Sequence, residues 1–170
     1  PRVVKHAQSW GLRAGWSLDL TNHDVDGKAW DFTKPEMRSR LWAKLKKDKP
    51  LLVIGSPACT DWSTMMNLNW HRMSEEDVKR RMKEARVHLK FCIEVYKYQT
   101  EHSRYFLHEH PSAARSWKEP AMQKLMKMQD AILTKADQCQ YGLIVEDMKG
   151  QALAKKPSRF LTNSPCIASQ

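Results

Sequence analysis

The chain has 170 residues, 41% of them hydrophobic and 28% charged, with a formal net charge of +10. At this length one hydrophobic core is the default, and no run of about 18 apolar residues offers a membrane span. Cys59, Cys92, Cys139 and Cys166 lack the paired spacing of a zinc finger or disulfide scaffold, which fits an intracellular, nuclear or cytoplasmic location, and the positive excess favours a polyanion, nucleic acid ahead of a membrane surface.

Pro1-Arg2-Val3-Val4 carries no signal-peptide pattern and no initiator methionine, so the sequence reads as a piece of a longer protein. Val3, Val4, Ala7 and Trp10 recur at near-helical spacing, and Gly11 is placed to end that helix. Ala14-Gly15-Trp16-Ser17-Leu18-Asp19-Leu20 predicts a short strand. An acid such as Asp19 at that place accepts hydrogen bonds from the ribose of a nucleotide-like cofactor in doubly wound folds; a surface carboxylate at a strand end is the other reading. Asn22 to Gly27 is a loop, and Asp31 sits between Trp30 and Phe32. Thr33 and Glu36 have capping-box spacing, and Met37, Leu41 and Leu45 repeat every four residues, which predicts an amphipathic helix ending near Asp48.

Leu51-Leu52-Val53-Ile54, bounded by Pro50 and Gly55-Ser56-Pro57, predicts a strand buried on both faces, as in helix-covered parallel sheets. Ligands of such sheets bind beyond the carboxyl ends of the strands, where Cys59 emerges. Residues 64–72 read as a loop over that cleft. Ser74 followed by Glu75, Glu76 and Asp77 starts a long helix whose apolar stripe is Val78, Met82, Ala85, Leu89, Cys92 or Ile93, and Tyr96. Tyr105 to Pro111 predicts a second strand, and Glu109 lies near Cys59 if the two strands are parallel neighbours. His108-Glu109-His110 lacks the further ligands of a metal site. A helix from Pro120 carries Met122, Leu125 and Met126, a strand follows over 131–134, and 137–142 turn. Residues 143–146 and 159–163 are expected to pair as an antiparallel ribbon across Lys155-Lys156-Pro157.

Taken in this order, the motifs resemble the catalytic part of the DNA cytosine-C5 methyltransferases, and methyltransferase-like segments of mobile-element polyproteins. Gly11-Leu12-Arg13-Ala14-Gly15-Trp16 ahead of Asp19 is similar to the family's turn and strand ending in the ribose-binding acid, and Asp31 to its adenine-contacting acid. Gly55-Ser56-Pro57-Ala58-Cys59-Thr60-Asp61-Trp62-Ser63 resembles the nucleophile loop, Phe106-Leu107-His108-Glu109-His110-Pro111 the strand end with the catalytic Glu, and Gln140-Tyr141-Gly142 with Arg159 the element that steadies the base. The family has Pro where Ala58 stands and Asn where His110 stands, and its glycine-rich first loop would precede Pro1. The resemblance implies a doubly wound, mostly parallel, Rossmann-like sheet lacking its first strand, in one domain with a C-terminal ribbon. It implies S-adenosylmethionine held by Asp19, Asp31, Ser56 and Pro57.

By that resemblance Cys59 is the nucleophile that adds to carbon 6 of a flipped cytosine and Glu109 holds the ring nitrogen 3 edge. Arg115, Lys155, Lys156 and Arg159 are candidates for phosphates, and Trp62, Trp70 and Tyr141 for stacking; core packing is the other reading of the tryptophans. DNA is favoured over RNA. For Cys59 the other reading is an inert thiol. Two further readings remain: a catalytically degenerate nucleic-acid-binding module, and a metal-dependent nuclease using Asp19, Asp31, Asp61 and Glu109.

Overall fold

The computed structural model describes residues 2–9, 11–13, 15–148 and 150–170, in two compact units, Pro1–Pro50 and Leu51–Gln170. Trp10 of the expected first helix and Ala14 of the expected first strand lie outside the described residues.

In the first unit, α1 (Arg2–Ser9) and α2 (Pro35–Asp48) are the helices. The strand expected over 14–20 is absent among the described residues: residues 15–19 have no partner strand, and Asp19 closes a turn with its carbonyl accepting from Asn22 N at 3.0 Å. A strand exists only through its ladder, so an apolar run without a neighbour stays irregular. The four-residue repeat of Met37, Leu41 and Leu45 does form the buried stripe of α2. Its start is set by Pro35 after an extended Lys34 rather than by a Thr33 box; the Thr33 hydroxyl instead donates to Asp31 at 2.6 Å. Arg40 ties α2 to the preceding loop through Asp24, and through Asp26 at 2.7 Å.

The second unit is built on four strands: β1 (Leu52–Gly55), β2 (Tyr105–Pro111), β3 (Ile132–Asp137) and, after the hairpin strands β4 (Ile144–Asp147) and β5 (Gly150–Leu153), β6 (Pro157–Thr162). The sheet order is β1-β2-β6-β3. β1 and β2 are parallel, and β6 is antiparallel to β2 and to β3, so β1, β2 and β3 point one way with β6 reversed between two of them. The doubly wound, mostly parallel Rossmann-like sheet expected from the resemblance is therefore incorrect, since only one adjacent pair is parallel. The expected ribbon is also corrected. Residues 144–147 pair with 150–153, while β6 takes a central place in the main sheet. Leu161, Ser158 and Thr162 are fully buried there, whereas Ile144, Val145 and Leu153 of the hairpin are exposed.

β1 is an edge strand, and its expected burial on both faces does not hold: Leu52 is 37% and Ile54 43% exposed. α4 (Glu75–Glu101) packs on β1 and β2, with Ser74 capping it by accepting from Asp77 N at 3.1 Å as the hydroxyl-then-acids pattern predicts. Residues 64–70 form a 3-10 turn and the short helix α3 (Asn67–Trp70), and Met66 is buried. With α5 (Pro120–Met126) and the C-terminal α6 (Pro165–Ala168) the unit is complete. Its core joins Trp62, Leu89, Ile93, Tyr96, Phe106, Trp117, Met122, Leu125 and Leu161. Cys92 packs against this cluster, and burial pushes its thiol up to about 12, which makes it a structural thiol.

Candidate functional site

The site is assembled by the parallel pairing of β1 and β2, in which Gly55 lies opposite His108. Cys59 is the fourth residue after Gly55, and Glu109 directly follows His108. Cys59 thus follows the carboxyl end of β1, and Glu109 lies in β2 one residue past the β1 pairing, toward the end at which open sheets take ligands.

The segment from Ser56 to Ser63 is held on both sides of Cys59. Upstream, the buried Pro57 presents its carbonyl to His110 Nε2 at 2.8 Å. Downstream, a 3-10 turn over Thr60–Trp62 begins with Trp62 N donating to Cys59 O at 3.0 Å. The Asp61 carboxylate receives Arg81 Nη2 at 2.7 Å, and the Asp61 carbonyl receives Arg115 Nη2 at 3.0 Å. Arg115 in turn stacks its guanidinium 5.5 Å from the centre of the Trp70 ring. Cys59 itself is half-buried, with Ala58 and Thr60 exposed on either side.

Glu109 is half-buried, and its Oε1 accepts from Ser158 Oγ at 2.7 Å and from Gln138 Nε2 at 3.2 Å. Gln138 also donates to Ser158 Oγ at 3.0 Å, closing a three-residue network. Sequence reasoning missed Gln138 and Ser158. Only the placement of β6 beside β2 brings Ser158 to Glu109, and no local pattern in the sequence announces that pairing.

Successive residues of a strand face opposite sides. His110 therefore faces away from Glu109, and its register partner Arg159 shares the His110 face, with the guanidinium 5.8 Å from the Trp117 ring centre. Arg159 thus projects from the sheet face opposite Glu109. Trp62 is corrected: it is 1% exposed and sits in the core cluster, so its ring has no face to offer a base. Trp70 is half-buried beneath Arg115, and Tyr141 is exposed with its hydroxyl donating to Gln170 O at 3.2 Å. Lys155 reaches Asp137 at 3.8 Å, and Lys156 is exposed.

The residues expected to hold S-adenosylmethionine do not fit such a group. Asp19 Oδ1 accepts from Thr21 N at 2.8 Å and Thr21 Oγ1 at 3.0 Å, and these bonds hold its carboxyl below the usual carboxylate range. Asp31 Oδ1 accepts from Thr33 N at 3.0 Å as well as from the hydroxyl. Both acids cap their own turns in the first unit, with no strand to deliver them among the described residues, while Ser56 is exposed and the Pro57 carbonyl is taken by His110. Among the described residues no group of three or more His, Cys, Asp and Glu side chains is placed to hold a metal ion, and no helix is long and apolar enough to cross a membrane.

Behind the site, His108 Nδ1 and the Tyr96 hydroxyl are 3.0 Å apart, and burial holds both His108 and His110 below the ordinary imidazole range. The unfolded chain therefore binds protons that the folded chain refuses. Stability is full above about pH 6.5 and falls as pH drops, by up to roughly 1.4 kcal/mol per pH unit for each histidine. Urea unfolding at pH 7.5 and 5.5 is expected to show a lower midpoint at the acid value; equal midpoints would contradict the neutral, buried pair.

No family model, curated protein or solved structure matches this chain.

Proposed function

We propose that this chain binds DNA and acts on a cytosine base through Cys59 and Glu109, by the nucleophilic addition used in cytosine-C5 methyl transfer. The observation that supports the reading is the parallel pairing of β1 with β2, since Cys59 follows the first strand and Glu109 lies on the second. The net charge of +10 supports a polyanionic partner, and Lys155, Lys156 and Tyr141 are exposed for a backbone and a base.

The target carbon is inside the duplex stack, so the base is extruded before reaction, at a cost of a few kcal/mol offset by phosphate contacts. The Cys59 thiolate sulfur bonds to carbon 6, the carbon 5–carbon 6 π pair moves into the ring, and nitrogen 3 takes the Glu109 carboxyl proton. Carbon 5, now electron-rich, takes a proton from water. A base then removes the original carbon 5 hydrogen, the sulfur–carbon bond breaks, and the nitrogen 3 proton returns to Glu109. The net change is exchange of the carbon 5 hydrogen with solvent.

The test is release of tritium from carbon 5 of cytosine in an oligonucleotide. Release is expected from the wild type, to vanish in Cys59→Ser, and to fall by about 10²-fold or more in Glu109→Gln, with DNA affinity retained in both. Since the Asp19 and Asp31 carboxylates each cap their own turn, adding S-adenosylmethionine is expected to leave release unchanged. The second reading, a nucleic-acid-binding module without chemistry, is favoured by the Ser158 and Gln138 bonds that already occupy Glu109 Oε1. It predicts salt-dependent DNA binding with no release from any form.

A further inference from the structure

We propose that His110 is a positioning residue that seats the Cys59 loop through the Pro57 carbonyl, with Ser116 setting its tautomer; this rests on Cys59 being the reacting thiol. His110 is 1% exposed, and each ring nitrogen has one partner: Nε2 lies 2.8 Å from Pro57 O and Nδ1 lies 2.6 Å from Ser116 Oγ. A carbonyl accepts only, so Nε2 carries the hydrogen. In the neutral ring Nδ1 is then the acceptor, and the Ser116 hydroxyl donates to it. Ser116 is fully buried at the start of a 3-10 turn, Arg115–Lys118, next to Trp117, whose Nε1 donates to Pro111 O at 2.9 Å. The imidazole is thereby fixed from behind by a packed element and points its one N–H at the loop.

The consequence for Cys59 follows from the chain. Pro57 has no N–H of its own, Ser56 and Ala58 are exposed, and the Pro57 carbonyl is the upstream hold on a loop whose downstream hold is the Asp61 clamp. With both holds the Cys59 backbone has one seating; with the upstream hold lost, the thiol swings about the 3-10 turn. Misplacing a reacting group by about 1 Å costs on the order of 10²-fold in rate.

Two substitutions separate positioning from bulk. Glutamine places its amide nitrogen about where Nε2 lies and can still donate to Pro57 O, whereas asparagine reaches only the Nδ1 place. The readouts are amide hydrogen exchange of residues 58–63 and the rate of covalent adduct formation with a duplex carrying 5-azacytosine, at saturating DNA. His110→Asn is expected to speed exchange of the loop amides by about tenfold or more and to slow adduct formation by about 10²-fold, with DNA affinity unchanged. His110→Gln is expected to restore both. Loop exchange in His110→Asn equal to wild type, or no recovery in His110→Gln while thermal unfolding remains cooperative, would overturn the assignment. If the wild type forms no adduct, the reading of Cys59 fails, and loop exchange still decides the role of His110.

Discussion

Replacing Trp62 with alanine is expected to destabilise the second unit by about 3–5 kcal/mol, the usual cost of emptying a large aromatic site. Trp62 is 1% exposed among Leu89, Ile93, Phe106 and Trp117, and it is also the residue whose amide closes the turn on Cys59 O. Its loss therefore opens a cavity directly beneath the Cys59 loop. Trp62→Phe is expected to recover part of the loss, because a smaller ring fills part of the same space. Urea unfolding of the three proteins measures this. A Trp62→Ala protein of wild-type stability with weakened DNA binding would instead make Trp62 a stacking surface.

Gly55→Ala is expected to cost about 1–3 kcal/mol, although it adds a single methyl group at an edge strand. A Cβ at Gly55 would fall on the Tyr96 hydroxyl and ring, which cross β1 at that point. To accommodate it Tyr96 must shift, which breaks its bond to His108 Nδ1 and leaves two buried polar groups without each other. Tyr96→Phe removes the oxygen that the methyl group would strike, so the double variant should be more stable than the sum of the singles predicts, with a coupling of about 1 kcal/mol. Recovery stays partial because the ring carbon is also close. Additive losses in the thermodynamic cycle would show that Gly55 is not the seat of Tyr96.

Gly55, Tyr96 and Trp62 also show what was legible in the sequence. The Ser74 cap, the Met37–Leu41–Leu45 stripe, the strand ahead of Cys59 and the strand bearing Glu109 rest on local patterns and form where those patterns put them, although β1 is an exposed edge strand rather than one buried on both faces. The nearness of Glu109 to Cys59 requires β1 and β2 to be parallel neighbours, and Gly55 is in register with His108. The pairings of the C-terminal strands went differently. Nothing near residue 160 distinguishes a ribbon strand from a central one, and β6 entered the sheet because Ser158, Leu161 and Thr162 can be buried there. That insertion reversed the sheet's expected character, brought Ser158 to Glu109 and sent Arg159 to the opposite face. Trp62, flanked by Asp61 and Ser63, read as a loop aromatic; the 3-10 turn and the Arg81 and Arg115 contacts to Asp61 take up the polar neighbours and leave the indole to the core.

The central claim is that the Cys59 thiolate forms a bond to carbon 6 of a cytosine. The most direct measurement is incubation of the wild-type chain with a duplex containing 5-azacytosine, followed by proteolysis and mass spectrometry of the nucleotide-bearing peptide. The expected result is a single modified peptide containing Cys59, absent from Cys59→Ser at equal DNA occupancy. No adduct at saturating DNA, or an adduct on Cys92, Cys139 or Cys166, would contradict the account.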